Sequence, residues 1–84
     1  MAHTFSIRIV DQRGNPRRGV SVWAKEAGLF GESGTEYTDS DGWVKFHNPY
    51  WMDEKTVYGL YVYVGGEEFG PFTVENGDTF SLTA

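Results

Sequence analysis

Apolar and polar side chains alternate in short runs along most of this chain. Phe5, Ile7 and Ile9 alternate with Ser6, Arg8 and Val10. A period of two sends successive side chains to opposite faces of an extended backbone, so the run predicts a half-buried first strand. In a second run, Val20, Val22 and Ala24 face one way, and Ser21, Trp23 and Lys25 face the other. A short strand is expected over 35–38, and another over 43–46 with Val44 and Phe46 on one face. Residues 57–64 form the clearest late run. Its alternation predicts Tyr58, Leu60, Val62 and Val64 on one side and Tyr61 and Tyr63 on the other. Runs over 69–74 and 79–82 bring the total to about seven short strands. No segment has helical periodicity, although the 49–55 loop has room for one helical turn.

The punctuation between runs agrees with a β domain. In the corner RGNPR, Gly14 and Asn15 tolerate positive φ, while Pro16 lacks a donor and stops the first strand. Asp39-Ser40-Asp41-Gly42 reads as a turn whose carboxylates cap local backbone groups, with Gly42 in the left-handed position. Gly65-Gly66 breaks the late strand, and Asn76-Gly77-Asp78 turns the last two runs. Two longer loops, 26–34 and 47–55, carry Leu29, Phe30, Tyr50, Trp51 and Met52. Some of these apolar groups are expected to fold under and cap the core.

Length and composition narrow the picture. With 84 residues the chain supports a single domain, 1–84, whose core is modest. Aromatics at 17% compensate, because each ring buries a large area. The absence of cysteine excludes disulfides, thiolate metal sites and a cysteine nucleophile. A net charge of −5 argues against nucleic acid as partner, since that role needs a basic surface to displace counterions. No run approaches the roughly 18 apolar residues of a membrane span. The start, MAHTFSI, has neither the basic nor the apolar region of a signal peptide, which leaves the localisation open.

Four stretches carry a family likeness: IVDQRGNPRRGVSVWA, YTDSDGWVKF, YGLYVYVGGEEFGPFTV and TFSLTA. Together they resemble the transthyretin-like, or carboxypeptidase-regulatory-like, β-sandwich. The matching positions are Asp11, Gly14, Pro16, Gly19, Val20, Thr38, Asp39, Asp41, Gly42, Phe46 and Leu82. The resemblance implies an all-β, seven-stranded Greek-key β-sandwich of prealbumin-like type, with the second and fifth strands paired in one sheet. It is specific for fold and poor for function, because a fold hosts many jobs. Three chemistries found in similar domains lack their residues here. The hydroxyisourate hydrolases share the opening Asp-to-Pro turn but need a C-terminal Tyr-Arg-Gly-Ser, whereas this sequence ends FSLTA. The intradiol dioxygenases hold ferric iron with two tyrosines and two histidines, and no spacing of His3 and His47 supports that set. A pilin-type isopeptide bond needs an inward lysine on the first strand, which instead offers Arg8 with a permanently protonated guanidinium.

The remaining candidates for chemistry are few. Asp39 and Asp41 resemble the start of a calcium loop, but the bidentate acid such a loop needs does not follow, so turn capping is the expected role. His3 and His47 stand apart and are expected in surface or packing roles. Glu67 and Glu68 are sequence neighbours whose side chains diverge on a strand, so they form no carboxylate pair. No catalytic residue, metal site or cofactor is therefore expected, and the chain is read as a non-enzyme.

The outward aromatics are more informative. If Val22 and Val62 face inward, Trp23, Tyr61 and Tyr63 share the outer face of one sheet. Cross-strand ring pairs stabilise a sheet by roughly 0.2–1 kcal/mol each, which gives them a scaffold role. A contiguous patch of such rings also suits a contact surface. Arg8, Arg13, Arg17 and Arg18 are four of the seven cations, and the last three crowd one corner. That end is expected to orient a partner or a second copy against an otherwise acidic molecule. The expected partner is thus a protein assembly of virion, secretion-spike or cell-surface type, or a homo-oligomer. Trp23, Tyr61 and Tyr63 would supply burial, and Arg13, Arg17 and Arg18 orientation. The alternative is a glycan stacked on the same rings, with Trp43 and Trp51 added.

Overall fold

The computed structural model describes residues 3–27, 33–49 and 51–84, so the loop positions Leu29, Phe30 and Tyr50 lie outside the described residues. Among these residues every regular element is a strand. They are β1 (His3–Val10), β2 (Ser21–Glu26), β3 (Glu36–Tyr37), β4 (Trp43–Asn48), β5 (Thr56–Val64), β6 (Glu67–Glu75) and β7 (Asp78–Thr83). Two sheets stack as a sandwich, one in the order β4-β1-β7 and the other β3-β2-β5-β6. The pairs are antiparallel except for β1 with β7, which runs parallel.

The core forms where the alternation places it. β1 buries His3, Phe5, Ile7 and Ile9 in strict alternation with half-buried partners. Val44 and Phe46 join from β4 and Leu82 from β7. The other sheet contributes Val22, Ala24, Val57, Leu60, Val62, Val64 and Val74. Phe5 and Phe46 are direct cross-strand partners, and their rings stack with centroids 5.2 Å apart. At one end of the molecule His3 is fully buried: its Nε2 donates to the Lys55 carbonyl at 2.9 Å, and its ring meets Trp51 edge-on at 5.2 Å. His3 is thus a packing residue, whereas His47 is exposed. In the neighbouring loop the Lys55 amide donates to the Met52 carbonyl, closing a turn and not a helix.

At the opposite end, two turns share one design. The carboxylate of Asp11 accepts from the amides of Arg13 and Asn15, both at 2.9 Å. That of Asp39 accepts from Asp41 at 2.9 Å and Trp43 at 3.0 Å. In each turn the glycine amide three residues on donates to the aspartate carbonyl, and the glycine, Gly14 or Gly42, has φ of +83°. An Asp-x-x-Gly sequence makes this local bonding possible because the short carboxylate reaches its own loop and glycine takes the left-handed position at no steric cost. Asp39 thus acts as the turn cap that its sequence suggests.

The second turn also docks on the corner of the first. The Gly42 carbonyl accepts from the Ile9 amide at 2.8 Å, and the Ile9 carbonyl accepts from the Arg17 amide at 2.9 Å. A Cβ on Gly42 would stand 2.5 Å from the Ile9 oxygen and 3.1 Å from the Pro16 Cβ. The corner is therefore clamped between β1 and the β3–β4 turn.

The β5–β6 pair departs from simple alternation. Val57, not Tyr58, faces the core: Val57 is fully buried and Tyr58 is 76% exposed. The β5–β6 register runs from Val57↔Val74 to Leu60↔Phe72, so β5 carries an extra residue there, a bulge at Tyr58-Gly59. A compensating shift lies between Leu60↔Phe72 and Val62↔Phe69, where β6 carries the extra residue. The first shift flips the phase of the strand before Leu60 and turns Tyr58 outward.

Candidate functional site

The outer face of the β3-β2-β5-β6 sheet collects rings from three strands. Trp23 of β2 lies directly opposite Tyr63 of β5, and Lys25 lies opposite Tyr61. The Trp23 and Tyr63 rings stack with centroids 3.9 Å apart and planes within 9° of parallel. Tyr63 is in turn the partner of Glu68 on β6, and its hydroxyl donates to Glu68 Oε2 at 2.7 Å. A ladder Trp23–Tyr63–Glu68 therefore crosses three strands at one level. It is half apolar and half polar: two flat rings, then a phenol held by a charge-assisted hydrogen bond.

Two tyrosines that the alternation did not assign to this face extend it. Tyr37 of β3 pairs with Ser21, which shares the outward face of β2 with Trp23. Residues opposite one another point the same way, so Tyr37 stands diagonally beside Trp23. Tyr58 is turned out by the bulge next to Tyr61. These two are the most exposed, Tyr37 at 67% and Tyr58 at 76%, whereas Trp23, Tyr61 and Tyr63 are half-buried. The signal for Tyr58 in the sequence was Gly59, since an isolated glycine in a strand marks a bulge or a close backbone approach. A Cβ at Gly59 would indeed lie 3.2 Å from the Ala27 Cβ.

Arg13, Arg17 and Arg18 occupy the exposed β1–β2 connection together. Among the described residues none of the three is in an ion pair. The Arg17 guanidinium donates to the Ala84 carbonyl at 3.1 Å, which ties the corner to the end of β7. The connection runs straight into β2, and the adjoining β5–β6 turn is pinned to β2 by a Gly65 amide donating to Ser21. The arginines thus border the end of the sandwich at which the ring ladder begins.

The structure does not bring the other two tryptophans to this face. Trp43 lies on β4 in the opposite sheet, directly across from Arg8. Arg8 is itself engaged, its Nε donating to the Asp41 carbonyl at 2.9 Å. Trp51 is half-buried against the core and against His3, with the Lys55 ammonium 5.8 Å from its ring centroid. Of the loop apolar groups within the described residues, Trp51 is the one that folds under the sandwich, while Met52 stays 67% exposed.

Among the described residues, no three of His, Asp or Glu are grouped so that they could hold a metal ion. What the ring face can do is bury area. Rings already aligned by their strands lose little conformational freedom on contact, and their hydroxyls keep hydrogen-bonding capacity at the rim. No family model and no curated protein matches this chain.

Proposed function

We propose that this domain is a non-enzymatic structural or interaction module that packs on a larger assembly through the outer face of the β3-β2-β5-β6 sheet. The observation that carries the reading is the gathering of Trp23, Tyr37, Tyr58, Tyr61 and Tyr63 on that one face. A scaffold role accounts for the stacked Trp23–Tyr63 pair but not for Tyr37 and Tyr58, which stand in water in the isolated chain. Tyrosine and tryptophan are the residue types that dominate binding energy at protein interfaces. Arg13, Arg17 and Arg18 lie at the end of the sandwich from which β2 starts and give a partner's approach a preferred direction.

The assembly reading is also favoured over a glycan platform by ring geometry. Trp23 and Tyr63 each turn one face onto the other at 3.9 Å, which closes that face of each ring to a sugar. The pairing of β2 with β5 supports our reading of the architecture as a Greek-key, prealbumin-like sandwich of the transthyretin-like kind, a type that serves on virions, secretion spikes and cell surfaces. Sedimentation and tryptophan fluorescence together test the function. Co-sedimentation with a native particle, weakened by Trp23→Ala in a chain that stays folded, supports the assembly role. A monomer whose fluorescence shifts on adding oligosaccharides, and which binds no particle, overturns it.

A further inference from the structure

Among the described residues the sandwich has four edge strands, and three of them carry features that block pairing with another chain. β3 has only two residues. β4 presents the exposed Lys45 and His47. β6 is interrupted by Pro71, which has no amide to donate, by a register shift, and by exposed Glu67, Glu68 and Glu75. Short length, charge, proline and bulges are the devices by which edges resist pairing. β7 lacks them along its outward-facing row, and its one charge, Asp78, stands half-buried at the start of the strand. β7 runs through Asp78–Thr83 without proline, glycine or register shift, pairs with β1 alone, and turns the uncharged Thr79, Ser81 and Thr83 to solvent.

Its backbone is aimed accordingly. The Ala84 amide donates to the Val10 carbonyl at 2.9 Å, which fixes the parity of the strand. Phe80 and Leu82 point their amides and carbonyls to β1, whereas Thr79, Ser81 and Thr83 point theirs off the open edge. Beneath that edge Phe80 is half-buried and packs on Phe72 of β6, centroids 5.1 Å apart.

We propose that β7 is a self-pairing edge and that its occupant is β7 of a second copy of this chain, antiparallel about a two-fold axis through Ser81. This surface is separate from the aromatic face and does not rest on it. The sequence is complementary to itself in that register. Ser81 meets Ser81, Thr79 meets Thr83 and Phe80 meets Leu82, so hydroxyls lie opposite hydroxyls outside and apolar groups opposite apolar groups inside. Asp78, the one charge in the strand, falls opposite Ala84 and not opposite its own copy. Three facing pairs exchange about six backbone hydrogen bonds and join the sheets into β4-β1-β7-β7-β1-β4. The contact is isologous and closes as a dimer.

Sedimentation equilibrium and amide exchange test this. The wild type is expected to dimerise, with the amides of Thr79, Ser81 and Thr83 gaining about tenfold protection or more as concentration rises. Ser81→Pro removes only an outward amide, so it is expected to yield a monomer with an unchanged circular dichroism spectrum. Should that variant misfold, Ser81→Lys sets like charges across the axis and is expected to weaken the dimer by about tenfold. Trp23→Ala is expected to leave this dimer intact. A wild type monomeric at about 1 mM overturns the proposal. So does a dimer in which those three amides stay unprotected, or one that Trp23→Ala dissociates.

Discussion

Trp23 and Tyr63 face each other across β2 and β5 with their rings 3.9 Å apart and within 9° of parallel. The strands impose this contact, because the two residues are direct partners in the ladder. It explains how a solvent-facing tryptophan coexists with a stable sheet in the isolated chain. The pair is expected to show a coupling of about 0.5–1.5 kcal/mol in a double-mutant cycle of Trp23→Ala and Tyr63→Ala followed by urea unfolding. Each single variant is expected to remain folded. No coupling means the rings do not stack in solution, and loss of folding in Trp23→Ala means the ring belongs to the core.

Gly14 and Gly42 share φ of +83° but not their surroundings. Nothing stands within 4 Å of a Cβ at Gly14, whereas at Gly42 the Ile9 oxygen is 2.5 Å away. Gly14→Ala therefore carries only the left-handed penalty of about 1–2 kcal/mol. Gly42→Ala adds a clash with backbone and is expected to cost about 3 kcal/mol or more. Thermal or urea unfolding reads the difference; equal losses would separate the turn from the corner it is held to clamp.

The same turn gives a chemical test. Asp39→Ala removes the acceptor for two amides and is expected to lose about 1–2 kcal/mol. Asp39→Asn keeps a carbonyl oxygen in place and is expected to lose much less. If the two variants unfold alike, the carboxylate serves something other than these hydrogen bonds.

The bulge in β5 makes neighbouring residues opposite in kind. Val57→Ala opens a cavity in a fully buried site and is expected to cost about 2–3 kcal/mol. Tyr58→Ala removes a ring 76% exposed and is expected to change stability by about 0.5 kcal/mol or less. The reverse order would restore uninterrupted alternation through Tyr58.

That bulge also marks the limit of what the chain discloses by pattern. Phe5, Ile7, Ile9, Val22, Val44, Phe46, Val62 and Val64 fall on the core side as their period of two requires, and Asp-x-x-Gly marks both turns. The outward placement of Trp23, Tyr61 and Tyr63 follows from the same phase. Tyr58 does not, because a single inserted residue reverses every position on one side of it and Gly59 is its only trace. Tyr37 sits on a two-residue strand, too short for alternation to have a phase. Trp51 belongs to a loop, where packing against His3 depends on tertiary contacts that no local period records. The basic corner is legible as a cluster, but its attachment to Ala84 through Arg17 joins the two ends of the sequence and is set by the parallel β1–β7 pairing.

The aromatic face itself is tested most directly by photo-cross-linking from defined positions in cells that make the protein with its native neighbours. A photoreactive side chain in place of Tyr37 or Tyr58 is expected to capture one partner of defined mass, and Trp23→Ala is expected to diminish the capture. The same group in place of Lys45, on the outside of the other sheet, is expected to capture nothing in common with it. Capture from the Lys45 position alone, with Tyr37 and Tyr58 reacting only with water, would contradict the account.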